Sequence, residues 1–146
     1  MAGAVLLVLG AGFCAIQAGR HYLYSRITLR ETTATVIGKQ YVRFDEPNPS
    51  YDDGSGDPIT VKPGDEQWRV YYQIDSFDSL DNSVRARLLR DEEQRKASNR
   101  SRFRFKSREW YEKIEIGDKL RVLYQWHGGN SVDIIYVENP KYPNLQ

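Results

Sequence analysis

Catalytic and metal-binding side chains are scarce in this sequence. It contains one cysteine, Cys14, and two histidines, His21 and His127. A single cysteine excludes an intrachain disulfide, and two separate histidines are too few for a zinc site or a convincing catalytic triad. No serine lies in a nucleophile-elbow motif, and no glycine-rich phosphate loop precedes a helix. The sequence therefore predicts no catalytic residue, no metal site and no cofactor, and it favours a protein that is not an enzyme.

An excess of charge of one sign is also missing. Lys and Arg number 21 and Asp and Glu number 20, which leaves a formal net charge of +1. This balance argues against nucleic acid as a partner, because nucleic acid attracts strongly basic domains. The chain of 146 residues is long enough for one ordinary domain. Ten tyrosines and three tryptophans are many for this length, and they suit both β-strands and a membrane interface.

The N-terminal segment has no charge over a long stretch. No charged residue occurs between Ala2 and Gly19. An α-helix over this range would be about 27 Å long, close to the hydrocarbon thickness of about 30 Å. Tyr22 and Tyr24 follow at the depth where lipid headgroups begin. The segment predicts a transmembrane anchor over residues 1–25, and hence a single-pass membrane protein.

The charges that flank this segment predict its orientation. Basic residues follow the span on its C-terminal side and none precedes it; they are Arg20, Arg26 and Arg30. The positive-inside rule then places the soluble domain on the cytoplasmic side of the membrane. A cleaved signal peptide is the alternative, but that reading requires a basic region before the apolar stretch.

Small residues form a pattern within the predicted span. They repeat every four residues on two adjacent stripes, namely Gly10, Cys14 and Ala18, and Ala11, Ala15 and Gly19. A face of small residues lets another helix approach closely. The pattern predicts a helix-packing face, used for self-association or for contact with a larger membrane protein. The alternative is that Ala and Gly are simply common in membrane helices.

The rest of the chain has the composition of a β domain. Alternating apolar and polar residues, with many β-branched and aromatic side chains, predict five strands. They are Thr32–Phe44, Trp68–Asp75, Ser101–Lys106, Lys119–Gln125 and Val132–Val137. Gly38 is placed to form a bulge in the first strand. A hairpin turn over residues 127–130 joins the last two strands.

Two further segments separate these strands. Residues 45–66 hold seven acidic residues against one lysine and are rich in Pro, Gly and Ser, which predicts a long loop with at most a short extended piece at residues 59–61. Residues 82–96 predict a helix with a narrow apolar stripe, lying on the surface. One further helical turn is expected over residues 107–113.

The expected fold class is mainly β. It consists of an N-terminal transmembrane helix and a small antiparallel β-barrel-like domain of about five strands, with one inserted surface helix. The soluble domain spans residues 26–141, and residues 142–146 form a C-terminal tail.

The acidic loop contains part of a calcium-binding pattern. Asp53, Ser55 and Asp57 have the spacing of the first half of a calcium loop. Pro58 then stands where such a loop needs glycine, and no glutamate closes it at the twelfth position. The departures favour a solvated acidic loop over a metal site.

The most polarised feature is a basic stretch with two phenylalanines, Phe103 and Phe105, in its second half. We call its members the basic patch: Arg85, Arg87, Arg95, Lys96, Arg100, Arg102, Arg104 and Lys106. Such a patch suits an acidic partner surface or anionic lipid headgroups, and nucleic acid much less. The alternative is a solvated helix face with internal ion pairs, such as Arg87 with Asp91.

Several short motifs resemble those of a known family. After the span comes Thr33-Ala34-Thr35-Val36-Ile37-Gly38, later the strand 69–72, and then Ile116-Gly117-Asp118-Lys119-Leu120-Arg121-Val122-Leu123-Tyr124. The order resembles the A-T-V-x-G … G-x-x-V-x-V-x-Y pattern of a widespread family of bacterial single-span, membrane-anchored β-domain proteins of unknown function. Relative to that pattern, the acidic loop and the helix at residues 82–96 are insertions. The resemblance implies a membrane-anchored β domain and no particular activity.

Together these features predict a binding role. We expect a non-enzymatic, membrane-anchored accessory or scaffold subunit that binds and stabilises a larger membrane protein complex. The alternative is a membrane-tethered sensor or ligand-binding module.

Overall fold

The computed structural model describes residues 28–54 and 56–145. Its elements follow in chain order: β1 Arg30–Arg43, β2 Asn48–Tyr51, β3 Ile59–Val61, β4 Glu66–Ile74, α1 Asn82–Ala97, β5 Arg102–Lys106, α2 Arg108–Lys113, β6 Lys119–Gly128 and β7 Ser131–Glu138. All five predicted strands and both predicted helical segments are present. The short piece at residues 59–61 is also a strand, whereas β2 was not expected.

The predicted transmembrane helix lies outside the described residues. So does its packing face at Gly10, Ala11, Cys14, Ala15, Ala18 and Gly19. Within residues 28–54 and 56–145, no helix has the length and apolar character needed to cross a membrane. The anchor and its orientation therefore stay predictions from the sequence.

Five antiparallel strands form one curled sheet in the order β5-β4-β1-β6-β7. The central strand β1 pairs with β6 through residues 30–35 and with β4 through residues 34–43. This offset between the two partners is the stagger that curls a sheet toward a barrel. A bulge between Val36 and Gly38 bends β1 at its middle, as the glycine predicted. The result is a half-barrel, open between β5 and β7.

The core lies on the concave face of the half-barrel. Antiparallel partners share a face, and the alternating residues of β1, β4 and β6 that point inward are apolar. The two helices cover this face, α1 with Leu88 and α2 with Trp110, and Ile114 follows α2. The main buried side chains from the strands are Val36, Val70, Tyr72, Ile74, Leu120, Val122, Tyr124 and Val137.

The acidic loop is folded against the sheet instead of being solvated throughout. Its strands β2 and β3 pair with each other, and Tyr51 stacks edge-on against Phe44 at 4.8 Å between ring centroids. Asp53 is only 7 % exposed. Gly54 has a φ of +84°, and a Cβ there would lie 3.0 Å from a ring carbon of Phe103, so both the backbone conformation and the space favour glycine. Within the described residues, no cluster of three His, Cys, Asp or Glu could hold a metal ion; Ser55 lies outside them.

The segment after β7 folds back on the domain. Lys141 forms an ion pair with Asp118 at 2.9 Å, and the side chain of Asn139 is buried. Leu145, in the predicted C-terminal tail, packs against the core cluster. The described part of the tail therefore belongs to the packed domain.

Candidate functional site

A cleft of about 570 Å³ occupies the open side of the half-barrel. One wall consists of β5 and the two residues before it, together with Arg95 at the end of α1. The other wall includes Val132, Asp133 and Ile134 of β7. The cleft thus lies between the two edge strands of the sheet. Five basic side chains and one acidic side chain line it.

The structure divides the basic patch. Its members at the cleft, which we call the cleft cations, are Arg95, Arg100, Arg102, Arg104 and Lys106. Arg85 instead forms an ion pair with Asp78 at 3.6 Å, and Arg87 donates to the carbonyl oxygen of Gly129 at 3.2 Å. Lys96 borders a separate depression beside Tyr71. Asp91 pairs with Arg95 at 3.2 Å and not with Arg87, so this helix face has the internal ion pairing of the alternative interpretation, but with a different arginine.

A buried glutamate holds one of the cleft cations in place. Glu92 of α1 is 3 % exposed, and its Oε1 accepts from Arg102 Nη2 at 2.8 Å and Nε at 3.0 Å. Its Oε2 accepts from the backbone N–H of Ile74 at 3.2 Å. The carboxylate therefore ties α1, β4 and β5 together and neutralises Arg102.

Two other cleft cations have no such partner. Among the described residues, Arg100 and Arg104 make no side-chain ion pair or hydrogen bond. Lys106 faces an aromatic ring, with Nζ 5.1 Å from the centroid of Trp110. On the opposite wall, Asp133 is already bonded to His127 Nε2 at 2.8 Å. The cleft therefore keeps an excess of positive charge.

Lys106 has a lowered pKa for two reasons. Burial lowers the pKa of its ammonium, and the positive charge of Arg104 lowers that pKa further. Both causes disfavour the charged form. Because the folded-state pKa lies below the unfolded value, the unfolded chain binds more protons between the two values, and stability from this group rises as the pH rises through that interval.

Arg104→Gln should raise the pKa of Lys106. The substitution removes the repelling charge, whereas burial, the larger cause, remains, so the pKa should stay below its ordinary value. NMR titration of the lysine side chains measures the shift. Arg90→Gln is the matched control, because Arg90 is exposed on α1 and does not line the cleft. An unchanged pKa in Arg104→Gln would show that the two charges do not interact.

The outer face of β5 is aromatic. The ring centroids of Phe103 and Phe105 lie 5.4 Å apart. The guanidinium carbon of Arg69 lies 5.9 Å from the first centroid and 5.6 Å from the second. Arg69 also donates to the hydroxyl of Tyr51 at 2.6 Å. Phe105 stays 38 % exposed. The strand thus presents cations on its inner face and aromatic rings on its outer face.

A smaller depression of about 260 Å³ lies between Tyr41, Trp68 and Tyr111. Its charged groups are neutralised locally: Glu66 accepts from the hydroxyl of Tyr41 at 2.9 Å, and Glu112 pairs with Arg108 at 2.7 Å. It therefore offers less to a charged ligand than the cleft does.

Sequence reasoning found the cleft cations but missed the rest of the site. Val132, Asp133 and Ile134 carry no local signal, because only the curl of the sheet brings β7 opposite β5. Glu92 stands among other charged residues of α1. Its position four residues after Leu88, the buried apolar residue of α1, was the one available sign that it faces inward.

Comparison with known proteins finds no matching family model, no matching curated protein and no matching solved structure. The resemblance to membrane-anchored β-domain proteins therefore stays a prediction.

Proposed function

We propose that this chain is a non-enzymatic, membrane-anchored accessory or scaffold subunit, and that its half-barrel binds an acidic segment of a larger membrane protein complex in the cleft. The observation that supports this most is the unneutralised charge of Arg100 and Arg104. Charged groups at a protein surface attract a partner of opposite sign and fix its register. The membrane anchor in this proposal is the one predicted from the sequence of residues 1–25.

The chemistry of the cleft suits binding better than catalysis. Arginine stays protonated in proteins and offers donors only, so it does not exchange protons during a reaction. The planar guanidinium matches the two oxygens of a carboxylate. Four of the five cleft cations are arginines. The arrangement can therefore hold carboxylates.

A membrane-tethered sensor for a small anion is the second candidate. The cleft volume of about 570 Å³ falls within the range of about 300–1,000 Å³ that small-ligand sites occupy. In this case phosphate or a small dicarboxylate would stabilise the protein in a thermal-shift measurement. Anionic lipid headgroups could satisfy the same cations, and vesicles with and without anionic lipid distinguish that source.

A pull-down from the native membrane tests the accessory role. The full-length tagged protein, extracted in mild detergent, should recover a larger partner at a fixed stoichiometry in native mass spectrometry. The double variant Arg100→Glu/Arg104→Glu should recover at least about tenfold less, since charge-assisted hydrogen bonds contribute about 1.5–3 kcal/mol each. Circular dichroism establishes that the variant is folded.

The matched control is Arg43→Glu/Arg90→Glu. It makes the same change in net charge at two exposed arginines outside the cleft, and it should recover the partner as the unmodified protein does. A monomer or a pure homo-oligomer would contradict the accessory role. Equal losses in both double variants would show that only net charge matters, as expected for an anionic membrane surface.

A further inference from the structure

The cleft is bordered by an unpaired strand edge. Within the described residues, β5 pairs only with β4, and β7 pairs only with β6. The free side of an edge strand presents a row of backbone N–H and C=O groups that another strand can bond. A strand added to β5 would lie about 4.8 Å from it, within the cleft that separates β5 from β7.

The two faces of β5 differ completely in chemistry. Arg102, Arg104 and Lys106 pair with Tyr72, Val70 and Trp68, so they share the inner face. Phe103 and Phe105 pair with Tyr71 and Arg69 on the outer face. An added strand would place alternate side chains beside these two sets, because successive residues of a strand point to opposite faces.

This arrangement defines a sequence pattern for the partner. Opposite charges and aromatic–apolar pairs stabilise neighbouring strands, whereas like charges destabilise them. We propose that the cleft binds an extended segment of the partner protein by strand addition to β5, and that this segment alternates acidic residues, facing the cleft cations, with apolar residues, facing Phe103 and Phe105. This inference rests on the proposed function, which takes an acidic protein segment as the occupant.

Strands of the chain itself fit this role less well. A second copy of β5 would place Arg and Lys directly beside Arg and Lys. Among the described residues of β7, Asp133 is the only acidic residue that lines the cleft, and its carboxylate is bonded to His127. Charge complementarity therefore selects a partner strand of different sequence.

Peptide binding to the full-length protein in detergent tests strand addition. The probe is a short fluorescent peptide of alternating Glu and Val, and its matched control has the same composition with all Glu before all Val. Cross-strand pairs contribute about 0.2–1 kcal/mol each, so several of them predict a preference of about tenfold for the alternating peptide. Fluorescence anisotropy measures both affinities.

Backbone pairing has its own readout. Hydrogen exchange should show new protection of backbone amides in β5 when the alternating peptide binds. A version of that peptide N-methylated at alternate residues keeps the charges but cannot bond along the edge, and it should lose most of the affinity. Phe105→Ser, at an exposed ring of the outer face, should weaken the alternating peptide and leave the block peptide unchanged.

The outcomes separate this inference from the proposed function. Equal binding of both peptides, without protection of β5, would overturn strand addition, while a pull-down that still depends on Arg100 and Arg104 would uphold the acidic partner. Absence of any peptide binding would likewise overturn strand addition. If the pull-down were also insensitive to the cleft variants, the proposed function would fail independently. Tight alternating-peptide binding that Arg104→Glu abolishes would support both.

Discussion

Glu92→Ala should lower the free energy of unfolding by about 3–5 kcal/mol, the range measured when one partner of a buried ion pair is removed. The carboxylate is almost fully buried, and the side chain of Arg102 is 16 % exposed. The substitution leaves this guanidinium without its acceptor and also removes the acceptor of the Ile74 N–H. Both losses cost free energy because neither group gains full access to water. Urea denaturation followed by tryptophan fluorescence measures the change.

Glu93→Ala is the matched control for this prediction. Glu93 is the next residue of α1, is exposed, and makes one side-chain hydrogen bond, from Gln73 at 2.8 Å. Its removal should cost no more than about 1 kcal/mol. Similar small losses at both positions would show that water screens the pair of Glu92 with Arg102. The Glu92 variant should also bind the alternating peptide less tightly, because Arg102 would no longer be held on the inner face of β5.

Trp110→Ala should destabilise the fold by about 3–5 kcal/mol, as expected for an aromatic side chain removed from a core. Trp110 is 2 % exposed and packs in the main cluster beneath the half-barrel. It lies in α2, whose N-cap residue Ser107 accepts from the Trp110 backbone N–H at 3.3 Å. A cavity at this position would weaken the contacts of the short helix with the sheet, and it would remove the ring that faces Lys106.

Trp110→Phe provides a second variant that keeps the prediction testable. The indole Nε1 is buried without a hydrogen-bond partner among the described residues. Phenylalanine removes this unsatisfied donor while filling part of the volume, so the loss should be much smaller, about 1–2 kcal/mol. Chemical denaturation of both variants, with circular dichroism as the readout, measures the difference. Equal losses in the two variants would contradict this prediction.

Local pattern was sufficient for the five strands of the main sheet and for both helices. The side chains of residues 69–74 alternate in polarity along the sequence, and these residues lie within β4. The predicted helix over residues 82–96 corresponds closely to α1. Strand and helix periods are properties of neighbouring residues, which is why a single sequence reveals them.

Local pattern failed for β2, which lies in a polar segment with few apolar residues. Residues 45–66 have the composition of a loop, yet β2 and β3 pair within them and Val61 is 3 % exposed. Tyr51 contacts the ring of Phe44 and the guanidinium of Arg69, and Arg69 in turn lies over the ring of Phe103. The composition of a segment does not show which residues from other parts of the chain will pack against it.

The sequence by itself determined the five strands of the main sheet, the two helices, the bulge at Gly38 and the basic character of β5. It also carries the prediction of a membrane anchor over residues 1–25. Only the tertiary structure decided which cations act together, because the curl of the sheet sets β5 opposite β7 and separates Arg85 and Arg87 from the cleft. It also decided that Arg102 is neutralised by Glu92 whereas Arg100 and Arg104 are not. Charge pairing depends on distances of a few ångströms between side chains, and those distances are set only when the sheet curls around its core.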